Sequence, residues 1–137
     1  MEHKILECFR SGGGLAYVEY PRFHEVMAQH SGERIDSSLV DIVLPLAEGL
    51  PERLRAGIGV ADFACGSGHA INVMAQTYPE SVFTGYDVSD EGIAKARTEA
   101  TRLAMHNAKF VTQDLAALDS FECFDLITAF DAIHDQA

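Results

Sequence analysis

The sequence predicts an α/β protein, a parallel sheet layered with helices, and two observations carry that prediction. Beyond Gly57, short apolar runs alternate with segments of helical periodicity, in the order β-α-β-α-β-(α)-β. The first of these runs leads into a glycine-rich turn, and each of the other three is followed at once by an acidic residue: Asp87, Asp114 or Asp131. Ligands of open parallel sheets bind beyond the carboxyl ends of the strands. Glycines and carboxylates gathered at those ends therefore mark the place to look for a site.

Residues 1–56 are expected to form a helical lead-in and residues 57–137 the sheet-forming portion. A short apolar start (Ile5, Leu6, Phe9) breaks at Ser11-Gly12-Gly13-Gly14. Tyr17 to His30 is expected to be helical, with Pro21 near its start and Ser31-Gly32 ending it. Asp36-Ser37-Ser38 offers N-cap chemistry for a third helix through Leu39, Val40, Ile42, Val43, Leu46 and Ala47, buried on a wide face and closed by Gly49 and Pro51. A helical turn from Pro51 to Arg55 comes next. Strands are expected at Ile58–Ala64, Val82–Tyr86, Lys109–Gln113 and Phe124–Phe130. Between them lie a helix from Ala70 to Tyr78, stopped by Pro79, and a longer one capped by Ser89. The second presents Ile93, Ala96, Ala100, Leu103 and Ala104 to the core, and a loop or short helix carries Leu115 to Leu118.

Composition narrows the classes of function. The 137 residues are 47% hydrophobic and 23% charged, an ordinary globular balance. The longest apolar stretch, Leu39 to Leu50, is interrupted by Asp41, Pro45 and Glu48, and falls short of the roughly 20 residues a membrane helix needs. Met1-Glu2-His3-Lys4 does not open a signal peptide, so a cytoplasmic location is expected. Ten basic residues against 21 acidic ones give a net charge of −11 with no basic cluster, which argues against nucleic acid as a main partner. Cys8, Cys65 and Cys123 are odd in number and far apart, fitting reduced thiols better than disulfides or a zinc site.

The turn Asp62-Phe63-Ala64-Cys65-Gly66-Ser67-Gly68 joins a strand to a helix, where the absence of a Cβ lets a ligand approach the backbone. Taken alone it reads equally well as a plain tight turn. The dinucleotide fingerprint G-x-G-x-x-G/A fails: counted from Gly66 its third position is Ile71, and counted from Ala64 it is His69. A nicotinamide-dependent oxidoreductase is disfavoured accordingly. Asp87 ends the second strand, where a carboxylate can accept from both ribose hydroxyls. The plainer role of helix cap is already filled by Ser89. Asp114 sits one strand further out, where its side chain can accept from an exocyclic adenine amine; taken alone, a surface Asp in a loop is the plainer reading. Together the three features describe a pocket for an adenine nucleoside.

With these residues in view the chain resembles the class I S-adenosylmethionine-dependent methyltransferases over roughly residues 58–137. The turn from Asp62 to Gly68 is similar to their first motif, D/E-x-G-x-G-x-G, with Ala64 where glycine is usual. Tyr86-Asp87-Val88-Ser89 resembles the second, Gln113-Asp114-Leu115 the third, and Phe124-Asp125-Leu126-Ile127 the fourth strand. The resemblance implies a three-layer αβα Rossmann-like fold with strand order 3-2-1-4 and S-adenosyl-L-methionine as cofactor. It implies cofactor contacts from Asp62, Ala64, Cys65, Gly66, Gly68, Asp87, Val88, Asp114, Leu115 and Asp131. Phe130-Asp131-Ala132-Ile133-His134-Asp135 is similar to a stretch of winged-helix-associated small-molecule O-methyltransferases, in which the histidine is the general base. On its own, His134 reads equally as a helix-cap or solvent-exposed histidine. His69 reads as a lining residue beside the pocket. The aromatic lead-in resembles a segment that folds over the cofactor, placing Tyr17 or Tyr20 at the methionine end; packing aromatics are the plainer reading of each.

The family sheet has seven strands, and this chain reaches the fourth. The resemblance thus implies a cofactor-binding half that methylates a small-molecule acceptor. Strand four becomes an exposed edge, which invites a homodimer. A non-catalytic nucleoside-binding or dimerisation scaffold is the reading from a different class.

Overall fold

Residues 2–14, 23–117, 124–130 and 132 are described by the computed structural model of the chain. It divides into two compact units, Met1–Glu33 and Arg34–Ala137. The first contains helix α1 (Glu2–Ser11), which ends at the glycine run the sequence marked as a break. Helix α2 (Phe23–Ser38) begins in the first unit and ends in the second.

Two expectations for this region are corrected. Ser31-Gly32 does not end a helix, because α2 continues through both residues to Ser38. A glycine inside a helix costs only about 1 kcal/mol, too little to stop one by itself. Asp36-Ser37-Ser38 is thus a helix's last turn rather than the start of another. A π-helical turn (Leu39–Val43) and a 3-10 turn (Leu44–Leu46) come after it. Pro45 lacks the N–H an α-helix would use there, and the backbone tightens around it. Leu39 and Leu44 are buried, whereas Ile42, Val43 and Leu46 are exposed. Helix α3 (Leu50–Ala56) then closes on Gly57.

The remaining elements keep the predicted order, with bounds adjusted by a residue or two. They are β1 (Gly59–Phe63), α4 (His69–Thr77), β2 (Val82–Asp87), α5 (Asp90–Arg102), β3 (Ala108–Thr112), a 3-10 turn (Leu115–Ala117) and β4 (Leu126–Thr128). Ser89 caps α5 as expected, its Oγ accepting from Gly92 N–H at 3.1 Å. The helix stops at Arg102, so Leu103 and Ala104 leave its buried face; Ala104 is exposed, with φ of 53°. The fourth strand is shorter than the predicted Phe124–Phe130.

Among the described residues all pairings are parallel, and the strand order is β3-β2-β1-β4. Register places Val60 beside both Phe83 and Leu126. This sheet face packs with Ile71 and Met74 of α4 and Ile93 and Ala96 of α5 into one core that also takes in Leu39, Leu44 and Leu54. Each large apolar side chain among these, once buried, contributes about 1.5–3 kcal/mol. Alternation sends Phe63 and Tyr86 to the opposite face, where Tyr86 meets Phe63 and Phe124 edge-on at 5.8 and 6.2 Å between centroids.

Two polar side chains lock the end of the sheet away from the carboxyl termini of the strands. Ser81 Oγ donates to Leu54 O at 2.6 Å and accepts from Ile58 N–H at 3.0 Å, tying α3 to the approach of β1. Asn107 Nδ2 lies within 3.0–3.3 Å of the Ala75, Tyr78 and Ser81 carbonyls. Ser81→Ala strips the partner from two backbone groups at once and is expected to lower the unfolding free energy by about 2–3 kcal/mol. Urea unfolding measures this, and an unchanged midpoint would contradict the assignment.

Candidate functional site

The site is built where β1 turns into α4. Cys65 N–H donates to Tyr86 O at 3.0 Å, and Gly68 N–H to Cys65 O at 2.9 Å, so the chain reverses tightly. Three residues of the turn take left-handed backbone: Ala64 (φ 57°), Gly66 (φ 55°) and Gly68 (φ 72°). At Gly68 glycine is required twice. Besides the positive φ, a Cβ would stand 2.4 Å from the Phe110 ring and 2.7 Å from Ala96. At Gly66 a Cβ would meet nothing within 4 Å, so that side of the turn is open to a ligand's close approach. Ala64 adopts the glycine-favouring conformation while carrying a methyl group, a strain of about 1–2 kcal/mol.

Asp87 fastens the turn to the next strand. One carboxylate oxygen accepts from Gly66 N–H at 2.8 Å and the other from Ser89 N–H, also at 2.8 Å. Asp87 thus helps form the turn into α5, beside the cap that Ser89 supplies. Each oxygen has a second lone pair with which to accept from a hydroxyl. Val88 comes next, largely exposed. Asp114 lies beyond the end of β3 and accepts from Ala116 N–H at 2.9 Å, which fixes the 3-10 turn containing Leu115.

Asp62 is the buried member of the group. It lies beside Thr128 in the β1–β4 register, and Thr128 Oγ1 donates to it at 2.7 Å. Burial pushes its carboxyl up from 3.8 to about 7, the Thr128 bond opposes this, and the charge of Asp87 adds to it. The Cys65 thiol is pushed up to about 12 by burial and by the charges of Asp62 and Asp87, which favours the protonated form.

A concavity of about 360 Å³ opens beside the turn, lined by Phe63, Ala64, Leu115, Ile127, Thr128, Ala129 and Ala132. Of the residues predicted to hold a cofactor, Ala64 and Leu115 line it. Asp62 supports it through Thr128, while Asp87, Gly66 and Gly68 shape the adjoining turn. Tyr17, Asp131 and His134 lie outside the described residues. His69 does not line this concavity; its Nε2 is 2.8 Å from Asp36 Oδ1. Among the described residues, no group of three or more His, Cys, Asp or Glu is arranged to hold a metal, and no helix is long and apolar enough to cross a membrane.

Sequence reasoning missed Thr128, since cross-strand neighbours 66 residues apart are set by register. It also missed Gly85, where a Cβ would stand 2.7 Å from Cys65 Sγ. A glycine inside an apolar strand was the available signal for such a close approach.

The family described as Methyltransferase domain matches residues 54–137, more than half of the chain. Among curated proteins no sequence matches. Solved structures do. A SAM-dependent methyltransferase from Thiobacillus denitrificans, in complex with S-adenosyl-L-homocysteine, is 32% identical with a TM-score of 0.52 over 58% of this chain and 32% of its own. YjhP from E. coli is 26% identical with a TM-score of 0.53, covering 59% of this chain and 33% of its own. PKMT2 from Rickettsia typhi, in complex with AdoHcy, is 29% identical with a TM-score of 0.50, covering 53% of this chain and 14% of its own. The match thus takes in a third or less of each of these proteins.

Two expectations test the turn. Ala64→Gly relieves the left-handed strain and is expected to raise the unfolding free energy by about 1 kcal/mol; a loss of stability would contradict it. Asp62 holds in the folded chain a proton that the unfolded chain has released between 3.8 and about 7. Its contribution to stability is therefore fully present below this window and lost as pH rises through it. Asp62→Asn is expected to gain on the wild type as pH goes from about 5 to about 8, and a constant difference in urea midpoint would contradict the assignment.

Proposed function

The chain belongs to the methyltransferase domain family, and on that premise we propose that residues 57–137 bind S-adenosyl-L-methionine for methyl transfer to a small-molecule acceptor. One observation carries the reading: the Asp87 carboxylate, fixed at the end of β2 by Gly66 and Ser89, beside a turn whose Gly66 side is open. That acceptor fits a ribose, because the same carboxylate that orders the turn can accept from two hydroxyls. The S-adenosyl-L-homocysteine complex of the Thiobacillus protein and the AdoHcy complex of the Rickettsia protein support the same ligand.

In this reading Asp87 takes the ribose and Val88 covers a face of the base. Asp114 and the Leu115 N–H read the adenine edge. Asp62, Ala64, Cys65, Gly66 and Gly68 shape the methionine side, with Asp131 and Tyr17 assigned to the same pocket by sequence resemblance alone. When bound, the cofactor supplies a methyl group on a sulfonium, activated for in-line displacement without a metal. The protein's part is to orient the two reactants and exclude water. For an oxygen acceptor, His134 is the proposed base. Residues 1–56 serve as a lead-in to this portion. A cytoplasmic homodimer through the β4 edge completes the proposal; β4 ends the strand order, and Ile127 on it is 55% exposed.

Calorimetry tests the cofactor assignment. S-adenosyl-L-methionine and S-adenosyl-L-homocysteine are expected to bind and NAD is not; binding of NAD alone would replace the reading with an oxidoreductase. Asp87→Ala is expected to weaken S-adenosyl-L-homocysteine at least about ten-fold, since it removes a charged acceptor and frees the Gly66 N–H. Unchanged affinity would remove Asp87 from the site.

A further inference from the structure

Asp36 and His69 take no part in the contacts proposed above, yet they join across 33 residues of sequence at 2.8 Å. His69 is the first residue of α4, directly after Gly68. Asp36 lies in the last turn of α2, within the same compact unit as the site. Their contact ties the segment leading into Leu39 to the point where the glycine turn becomes a helix. The surrounding charge is unevenly shared. Glu99 of α5 feels the charge of His69: its carboxyl is held low first by its bond to Arg102, against burial, and then by the charges of Arg102 and His69. Arg102 is committed to Glu99 through bonds of 2.7 and 2.8 Å. Asp41, on the π-helical turn packed against α4, adds another exposed carboxylate. Against these stands the N-terminus of α4, whose dipole disfavours a cation.

We propose that Asp36 and His69 are positioning residues for the glycine turn, holding the start of α4 and the Gly66 N–H in the nucleoside-binding arrangement more firmly when the imidazole is protonated. This inference rests on the proposed nucleoside site. The Asp36 and His69 side chains are 64% and 39% exposed, so water and salt limit the coupling to a few-fold in affinity. Burial pushes the Asp62 carboxyl up to about 7, so Asp62 also changes charge near neutral pH. The wild-type pH profile alone therefore mixes two groups, whereas variants of the pair leave Asp62 in place.

The experiment is the calorimetric Kd of S-adenosyl-L-homocysteine at about pH 6 and about pH 8 for the wild type, Asp36→Asn and His69→Gln. Affinity is expected to fall about three-fold more across that interval in the wild type than in either variant, the Asp62 contribution being common to all three. An identical ratio in all three proteins would overturn the proposal. Should none bind the nucleoside, the cofactor reading fails separately, and backbone amide exchange at residues 66–70 decides the pair. Faster exchange in Asp36→Asn than in the wild type at about pH 6, corrected for intrinsic rates, supports the positioning role, and equal exchange overturns it.

Discussion

The Asp87 carboxylate is the interaction on which the site depends. Its two oxygens take the N–H groups of Gly66 and Ser89, so one side chain holds the turn after β1 against the start of α5. The strand order β3-β2-β1-β4 makes this possible, because parallel pairing brings the carboxyl ends of β1 and β2 side by side. Chain reversal at Gly68 is equally constrained, with Phe110 and Ala96 filling the space a side chain would need. The glycine turn is thus held by the sheet core on one side and by a charged acceptor on the other. On its open side, at Gly66, a Cβ would meet nothing within 4 Å.

Burial of a second carboxylate behind the turn gives the region its electrostatic character. The charge of Asp87 adds to the cost of ionising Asp62, and of the two Asp87 has backbone N–H donors on both oxygens. Asp62 has the Thr128 hydroxyl and little water. The acidic balance of the chain, 21 acidic to 10 basic residues, is therefore partly structural at this point rather than a solvated surface. Ala64 is a further local cost, a non-glycine residue in left-handed backbone that also lines the adjoining concavity.

Much of this was legible in the sequence where two periodicities contrast. Alternation of β and α segments after Gly57, the Ser89 cap, and the acid at the end of β2 were all read from residue type and spacing, and the structure has them. The segment from Asp36 to Leu46 was not legible. Its dense apolar residues imitate a buried helix, but Pro45 and the continuation of α2 through Gly32 divert the backbone and leave Ile42, Val43 and Leu46 in solvent. Pairings fixed by register or tertiary packing, Asp62 with Thr128 and His69 with Asp36, carry no local signal at all. The family resemblance put Ala64 where glycine is usual, and the backbone angle shows why that position favours one.

If the turn fastened by Asp87 is where a nucleoside sits, its backbone amides must respond to one. The most direct measurement is an amide NMR titration of the whole chain with S-adenosyl-L-homocysteine. Saturable shifts are expected to concentrate at Gly66, Asp87, Val88 and Leu115, with α3 and the Ser81 region unmoved. Saturable shifts that leave those four amides unchanged, or no shifts at any ligand concentration, would contradict a nucleoside site at this turn.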